Sequence, residues 1–206
     1  MIMKQYIPVA LCILCLAFLC SNQMQSQDPD GWEEYQTGLQ PPEIVIEAIK
    51  LGKGMVVGEI GAGRGRYSVI LANHVGETGH IYANDIDKES LEYLDFHCKR
   101  DHITNITSIR GKERDPLLPE NKLDMIFIVN TYHHISHPVE VLKKAYPALK
   151  SSGTLVIIDG VPGKYGGDSS HTTPQDKLIS QAKEAGFSFV RAAAELERDN
   201  IYVFRK

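Results

Sequence analysis

An acidic residue followed by three alternating glycines is the stretch of this sequence best suited to binding a ligand. A short apolar run leads into Glu59, and Gly61, Gly63 and Gly65 follow before residues with helical spacing begin. Because glycine has no Cβ, the backbone can turn tightly here and come close to a ligand. The helix that follows directs unpaired amide groups and the positive end of its dipole towards the turn, which favours an anionic group. The pattern predicts a cofactor site between a strand and a helix.

Asp85 is the second candidate, since it closes the next predicted strand, which begins at His80. Ligands of open parallel sheets bind beyond the carboxyl ends of the strands, so Asp85 is expected near the glycine turn. Its carboxylate can accept hydrogen bonds from both hydroxyls of a ribose, and its charge would repel a 2′-phosphate. Ile86, the next residue, is expected to pack against an adenine ring. These residues predict a nucleoside cofactor without a 2′-phosphate.

Histidines are concentrated after the fourth predicted strand, in the run Asn130-Thr131-Tyr132-His133-His134-Ile135-Ser136-His137-Pro138. Imidazole is the side chain that most readily accepts a proton near neutral pH. We therefore expect Tyr132, His133 and His134 to flank a reaction centre, with the two histidines as candidate bases. The alternative is that both histidines only shape the loop or contact the backbone of the cofactor.

No metal site is predicted from the same run. Pro138 begins a helix, so His133 and His137 do not share one helix at the i, i+4 spacing, and no positioned carboxylate completes a known ligand set. His137 is expected to cap the helix instead. Asp159, at the end of the fifth predicted strand, and His171, in the glycine-rich loop that follows, are further candidates for the site. The alternative for His171 is a surface residue of the loop.

The pattern Glu-x-Gly-x-Gly-x-Gly at residues 59–65, with an acid closing the next strand, resembles the first motifs of class I S-adenosylmethionine-dependent methyltransferases. The resemblance covers roughly residues 41–206 and implies S-adenosylmethionine as cofactor, with the glycine loop holding its methionine moiety. The residues expected to bind the cofactor are Glu59, Gly61, Ala62, Gly63, Gly65, Asp85, Ile86 and Asn130. Members that methylate amino groups of DNA bases or glutamine amides often have Asn-Pro-Pro-Tyr after the fourth strand. This chain instead has His-His-x-x-His-Pro at 133–138, which resembles small-molecule and uncharacterised, exported-looking members, so the resemblance implies a small-molecule acceptor.

Two other functions remain open from the same residues. A nicotinamide-dependent oxidoreductase uses a related turn, but its Gly-x-Gly-x-x-Gly fingerprint needs glycine where this chain has Arg66. A protein that binds S-adenosylmethionine or a nucleotide without catalysis is the second alternative. The amino terminus indicates export, whereas S-adenosylmethionine is made in the cytoplasm. An exported enzyme would lack its cofactor, which favours this non-catalytic alternative.

The predicted elements place these candidates at one edge of a sheet. Apolar runs bounded by turn residues predict strands that start near residues 55, 80, 105, 123 and 153, with helices between them, and Pro147 predicts a kink or early end of the helix from Pro138. Strands that alternate with helices form a parallel sheet covered on both faces. Two closing strands, 187–196 and 201–205, are expected to be antiparallel. The fold class is therefore α/β, a single Rossmann-like domain with a seven-stranded, mostly parallel sheet and a C-terminal antiparallel hairpin.

Composition and the amino terminus bear on partners and localisation. The net charge is −4 and the isoelectric point about 6.1, so no basic surface for nucleic acid is expected. Lys4 precedes an apolar run, 7–20, that is too short to span a bilayer and suits the core of a signal peptide. Cys20 is the candidate for lipid attachment, although Ala17 and Leu19 fit a lipoprotein signal poorly.

The expected organisation has three parts: a leader at 1–20, a linker at 21–40 and the methyltransferase domain at 41–206. The expected location is extracytoplasmic or anchored to a membrane through the leader. An uncleaved anchor on the cytoplasmic face is the alternative.

Overall fold

The computed structural model describes residues 29–206. The predicted leader, the candidate Cys20 and the first part of the predicted linker lie outside the described residues. The chain divides after Tyr35 into two units, and the sheet and the candidate site lie in the second, Gln36–Lys206. Among the helices in residues 29–206, none is long and apolar enough to cross a membrane.

Seven strands cross the described part of the chain: β1 (Val56–Ile60), β2 (His80–Asp85), β3 (Ile106–Arg110), β4 (Leu123–Val129), β5 (Leu149–Gly160), β6 (Ser188–Glu195) and β7 (Asp199–Arg205). They form one sheet in the order β3-β2-β1-β4-β5-β7-β6. Neighbours among the first five strands run parallel, whereas β7 is antiparallel to both β5 and β6. The predicted fold class, including the C-terminal antiparallel hairpin, is confirmed.

The helices of the described residues are α1 (Pro29–Leu39), α2 (Pro42–Ile49), α3 (Arg66–Val75), α4 (Lys88–Arg100), α5 (Pro138–Ala145) and α6 (Gln175–Glu184). Helix α1 lies in the segment that the sequence analysis treated as linker. Helix α5 ends at Ala145, and a single 3-10 turn at Tyr146–Ala148 leads into β5. This early end was predicted from Pro147, because proline has no amide proton and its ring collides with the preceding turn.

The sheet is buried on both faces, as strand β4 illustrates. Successive side chains of a strand point to opposite faces. Met125 and Phe127 therefore pack in the layer of α2 and α3, whereas Ile126 and Ile128 pack in the layer of α5 and α6. All four side chains are at most 1% exposed. Burial on both faces is typical of parallel sheets. The packed sheet holds its strands in place, and with them the loops that leave their carboxyl ends.

The strand order reverses between β1 and β4. Strands β2 and β3 follow on one side of β1, and β5 follows β4 on the other. The loops after β1 and β4 consequently leave two neighbouring strands in opposite directions, which opens a crevice between them. This crevice is the place where a ligand of such a sheet is expected, and it contains the predicted glycine turn.

Candidate functional site

The glycine turn after β1 is tethered to the strands on both of its sides. The amides of Gly61 and Ala62 donate to the carbonyl oxygen of Asn84 in β2, at 2.8 and 2.9 Å. On the other side, the Thr131 hydroxyl donates to the Gly61 carbonyl oxygen at 3.2 Å. Because both neighbours hold it, the loop is positioned before any ligand arrives.

Gly61, Gly63 and Gly65 all have positive φ, of +79°, +54° and +95°, but their surroundings differ. A Cβ at Gly61 would lie 2.1 Å from a methyl carbon of Thr131, and one at Gly65 would lie 2.3 Å from Leu94. A Cβ at Gly63 would meet no described atom within 4 Å. Packing therefore requires glycine at Gly61 and Gly65, while Gly63 faces open space where a ligand could approach.

We expect Gly61→Ala to destabilise the fold far more than Gly63→Ala. Both substitutions place alanine in a left-handed conformation, at about 1–2 kcal/mol. Only Gly61→Ala adds the clash with Thr131, and overpacking of this kind lowers the free energy of unfolding by about 1–3 kcal/mol more. Urea denaturation of the two variants measures the difference, and equal stabilities would contradict this description of the loop.

Asp85 lies against the glycine turn, where the sequence analysis expected it. One carboxylate oxygen accepts the amide proton of Gly63 at 2.7 Å, and the other accepts that of Asp87 at 2.9 Å. An ionised carboxylate has about four acceptor positions, so both oxygens can still accept bonds from ribose hydroxyls. Ile86 beside it is 59% exposed, which is unusual for a large apolar side chain and leaves it available to an adenine ring.

Glu59 is buried beneath the glycine turn, between β1 and α3, and its side chain is not open to a ligand. Its side chain is 1% exposed and accepts a hydrogen bond from the Ser68 hydroxyl of α3. Burial raises the pKa of Glu59 from 4.5 to about 8, although Ser68 and Arg66 act in the opposite direction. The side chain therefore holds α3 against β1 in its protonated form at neutral pH, in place of the direct cofactor contact that was predicted.

Ala62, another predicted cofactor residue, is likewise turned inwards. Its side chain is 6% exposed and packs in a small cluster with Leu94 and Cys98 of α4. Since its amide is also bonded to Asn84, Ala62 shapes the loop from the inside.

The raised pKa of Glu59 predicts a pH-dependent stability. The unfolded chain releases the proton near pH 4.5, whereas the folded chain keeps it to about pH 8. The contribution of Glu59 to folding is therefore fully present below pH 4.5 and is lost as the pH rises through 8, by at most about 1.4 kcal/mol per pH unit. Glu59→Gln should remove this slope between pH 5 and 8 in denaturation experiments. Glu89→Gln, at an exposed position of α4, is the control, and an unchanged slope in Glu59→Gln would contradict the assignment.

Gln40 is the residue of this region that the sequence analysis missed. Its side chain is fully buried, and its amide nitrogen donates to Asn130 at 2.7 Å and to Asp199 at 2.8 Å. Its amide oxygen accepts from Arg66 at 2.8 Å and from the Asn130 amide at 3.2 Å. The side chain of Asn130, predicted to bind the cofactor, is thus engaged by Gln40. A lone glutamine ahead of Pro41 carries no sequence signal for this role.

Three histidines lie together at the carboxyl ends of β4 and β5. His133 and His134 belong to the 3-10 turn Tyr132–His134 after β4, and His171 comes from the loop after β5. The ring centroids of His133 and His134 are 4.1 Å apart. The ring centroid of His171 lies 5.4 Å from that of His133 and 5.7 Å from that of His134. One nitrogen from each ring can be chosen so that all three lie within 4.8 Å of one another.

His133 is held by a buried carboxylate. Its Nδ1 lies 2.7 Å from an oxygen of Asp159, and the two side chains are 5% and 0% exposed. A carboxylate oxygen accepts hydrogen bonds, so Nδ1 is the donor of this pair and Nε2 is the ring nitrogen left for other contacts. The second oxygen of Asp159 finds no hydrogen-bond partner within residues 29–206. The pair presents an imidazole of fixed orientation next to a buried carboxylate oxygen that no described group satisfies.

His134 is kept neutral by its surroundings. Burial, followed by the neighbouring His133 and His171, lowers the pKa of His134, while Asp159 acts in the opposite direction. A neutral imidazole has one nitrogen with a free lone pair. His134 therefore offers a ring nitrogen that can accept a proton or bind a cation.

Tyr132 and His137 do not join the cluster. Tyr132 is 2% exposed, packs in the core, and donates its hydroxyl to Gln181 of α6 at 3.1 Å. Burial also raises the pKa of Tyr132. The predicted place of Tyr132 at the reaction centre is therefore wrong, because this side chain packs in the core and its hydroxyl is engaged by Gln181.

His137 stands at the N-cap position of α5, as predicted, but its side chain makes no capping hydrogen bond within the described chain. Its Nε2 lies 2.8 Å from a guanidinium nitrogen of Arg114 instead. No metal site is predicted from the sequence, because His133 and His137 do not share one helix. The fold instead brings His171 next to His133 and His134. Because His171 is distant from the other two in the sequence, spacing alone does not predict this cluster.

Comparison with known proteins agrees with this geometry. Residues 51–198 match the sequence profile of a family described as methyltransferase domain. Demethylmenaquinone methyltransferase of Listeria welshimeri is 25% identical over 122 residues, covering 57% of this chain and 52% of that protein. Human arsenite methyltransferase is 29% identical over 110 residues, covering 49% and 29%. The chain thus spans about half the length of the first relative and less of the second.

A solved structure covers more of the chain. The crystal structure of an S-adenosylmethionine-dependent methyltransferase from Aquifex aeolicus superposes with a TM-score of 0.73 at 25% identity. The match covers 82% of this chain and 92% of that one.

Proposed function

Because the chain belongs to the methyltransferase domain family and uses S-adenosylmethionine, we propose that it methylates a small molecule whose proton is removed at the histidine cluster. The cofactor would lie in the crevice between β1 and β4. Its ribose would contact Asp85, its adenine Ile86, and its methionine tail the turn at Gly61–Gly65. The hydrogen bond from Gly63 to Asp85 supports this arrangement, because it brings the two predicted contacts together.

The observation that carries the acceptor side of the proposal is the buried pair of His133 and Asp159. The transferred methyl group is already activated by the sulfonium, so the enzyme chiefly aligns the reactants and removes a proton from the acceptor. Asp159 fixes the tautomer of His133 in the way that a carboxylate orients a catalytic imidazole. The cluster follows β4 and β5, and the glycine turn follows β1, so both reach the same edge of the sheet.

A small acceptor is supported by two further facts. The curated relatives are named for demethylmenaquinone and for arsenite, which are both small molecules. The chain has a net charge of −4, which does not favour binding to the phosphates of nucleic acid. We infer an acceptor with an ionisable hydroxyl, thiol or amine that reaches His133 and His134 from solvent.

The proposal is tested by incubating the protein with S-adenosylmethionine and panels of small phenols, hydroquinones, thiols and amines. Mass spectrometry should find S-adenosylhomocysteine and a methylated product in equal amounts, and both should form at least about 100-fold more slowly with His133→Gln. Transfer to RNA, DNA or protein with no transfer to any small molecule would overturn the assignment of the acceptor class. It would leave the cofactor assignment intact.

A further inference from the structure

We propose that His133, His134 and His171 bind one divalent transition-metal ion of the Zn²⁺ type. Imidazole nitrogens suit this class of ion, and three histidines with an open fourth position form a known kind of catalytic zinc site. The three candidate nitrogens already lie within 4.8 Å of one another. Three nitrogens bound tetrahedrally at about 2.0–2.1 Å from one zinc ion are separated by about 3.4 Å. Since His134 and His171 are exposed, rotation of their rings can close this difference.

Asp159 supplies the independent observation. Histidines that bind metals commonly donate their second ring nitrogen to a carboxylate, which fixes the ring and increases its basicity. Asp159 stands in this relation to His133, and its side chain is fully buried. His133 would consequently bind the ion through Nε2, because Nδ1 is engaged.

Charge favours a cation at the same place. The second oxygen of Asp159 has no hydrogen-bond partner in the described part of the chain. A buried carboxylate that lacks full compensation is unfavourable unless positive charge lies near it. A divalent ion held by the three neighbouring imidazoles would provide this charge without moving the backbone of either loop.

The role of the ion rests on the proposed function, although its binding does not. With the ion bound, His133 would be a ligand and no longer the base. The ion would take an acceptor hydroxyl or thiol at its fourth position and lower the pKa of that group, so that the proton leaves to water. The resulting oxygen or sulfur anion would attack the methyl carbon of the sulfonium. The carbon–sulfur bond would break with its electrons remaining on sulfur, which yields the methylated acceptor and S-adenosylhomocysteine.

The binding test uses the full chain, purified without a polyhistidine tag, freed of metal with a chelator and titrated with Co²⁺. We expect a visible d–d absorption that saturates at one ion per chain and disappears when Zn²⁺ is added. His134→Ala and His171→Ala should each weaken Co²⁺ binding at least about 100-fold, and Asp159→Asn about 10- to 100-fold. His137→Ala is the matched control and should bind Co²⁺ like the unaltered protein.

These variants also serve as controls for other groups of the chain that could bind Co²⁺. Cys12, Cys15 and Cys20 are present in every sample, so a signal that they cause would survive in His171→Ala. His134 and His171 are exposed, and thermal melting of the variants verifies that they remain folded. Absence of the cobalt spectrum, or equal affinity of His171→Ala and the unaltered protein, would overturn the proposal.

The same samples separate this inference from the proposed function. Calorimetry with S-adenosylhomocysteine needs no metal and should give the same affinity before and after chelation. If that binding is present and the cobalt spectrum is absent, only the metal proposal fails. If the ion binds but chelation leaves methyl transfer unchanged, the proposed role of the ion is refuted.

Discussion

Substituting His133 with glutamine is expected to lower the rate of methyl transfer by about 10²- to 10⁴-fold while the affinity for S-adenosylhomocysteine stays the same. His133 is the ring that Asp159 orients at 2.7 Å, and glutamine cannot take up a proton or replace a basic imidazole nitrogen. The proposed cofactor contacts are the glycine turn and Asp85, which this substitution leaves unchanged. Single-turnover kinetics and calorimetry on one preparation measure both quantities.

His137→Gln is the matched control, because His137 lies in the same loop region but contacts Arg114 instead of Asp159. It should retain nearly the full rate. A rate for His133→Gln within a few-fold of the unaltered protein would refute a chemical role for the cluster. A loss of cofactor affinity equal to the loss of rate would show that His133 acts through the fold of the site.

Replacing Asp85 with alanine is expected to weaken S-adenosylmethionine binding by about tenfold to a few hundredfold. Each charge-assisted hydrogen bond to a ribose hydroxyl contributes about 1.5–3 kcal/mol, and about 1.4 kcal/mol corresponds to a factor of ten. Two such bonds would give a larger factor, but water replaces part of the lost contact. The expected loss of affinity therefore corresponds to about one hydrogen bond. Calorimetric titration with S-adenosylhomocysteine measures it.

Asp85 also accepts the amide proton of Gly63, so part of the effect could come from the loop itself. Asp85→Asn separates the two contributions, because its amide oxygen can still accept from Gly63 while the charge is lost. Glu89→Ala, at an exposed acid in the first turn of α4, is the control for net charge. An affinity of Asp85→Ala within twofold of the unaltered protein would remove Asp85 from the cofactor site.

The elements of the fold could be predicted because their signals are local. Strand β2 runs from His80 to Asp85 as predicted, since an apolar run and a following turn mark both ends. The early end of α5 followed from Pro147 alone. In β5 the strand begins at Leu149, before the predicted residue 153, because pairing with β4 extends it through polar residues.

The side chains of the site were predicted less well, because their partners are distant in the sequence. Gln40 meets Asn130 and Asp199 across separations of 90 and 159 residues. His171 reaches His133 only through the return of the loop after β5. Tyr132 and His133 are neighbours within one 3-10 turn, yet Tyr132 packs in the core and bonds to Gln181 whereas His133 bonds to Asp159. Residue type alone gives no indication of this difference.

A crystal structure of the protein with S-adenosylhomocysteine tests the central claim most directly. We predict that both ribose hydroxyls lie within hydrogen-bonding distance of the Asp85 carboxylate, that the amino-acid tail follows the turn at Gly61–Gly65, and that the sulfur faces His133. A nucleoside bound away from this crevice, or a ribose that does not touch Asp85, would contradict the account.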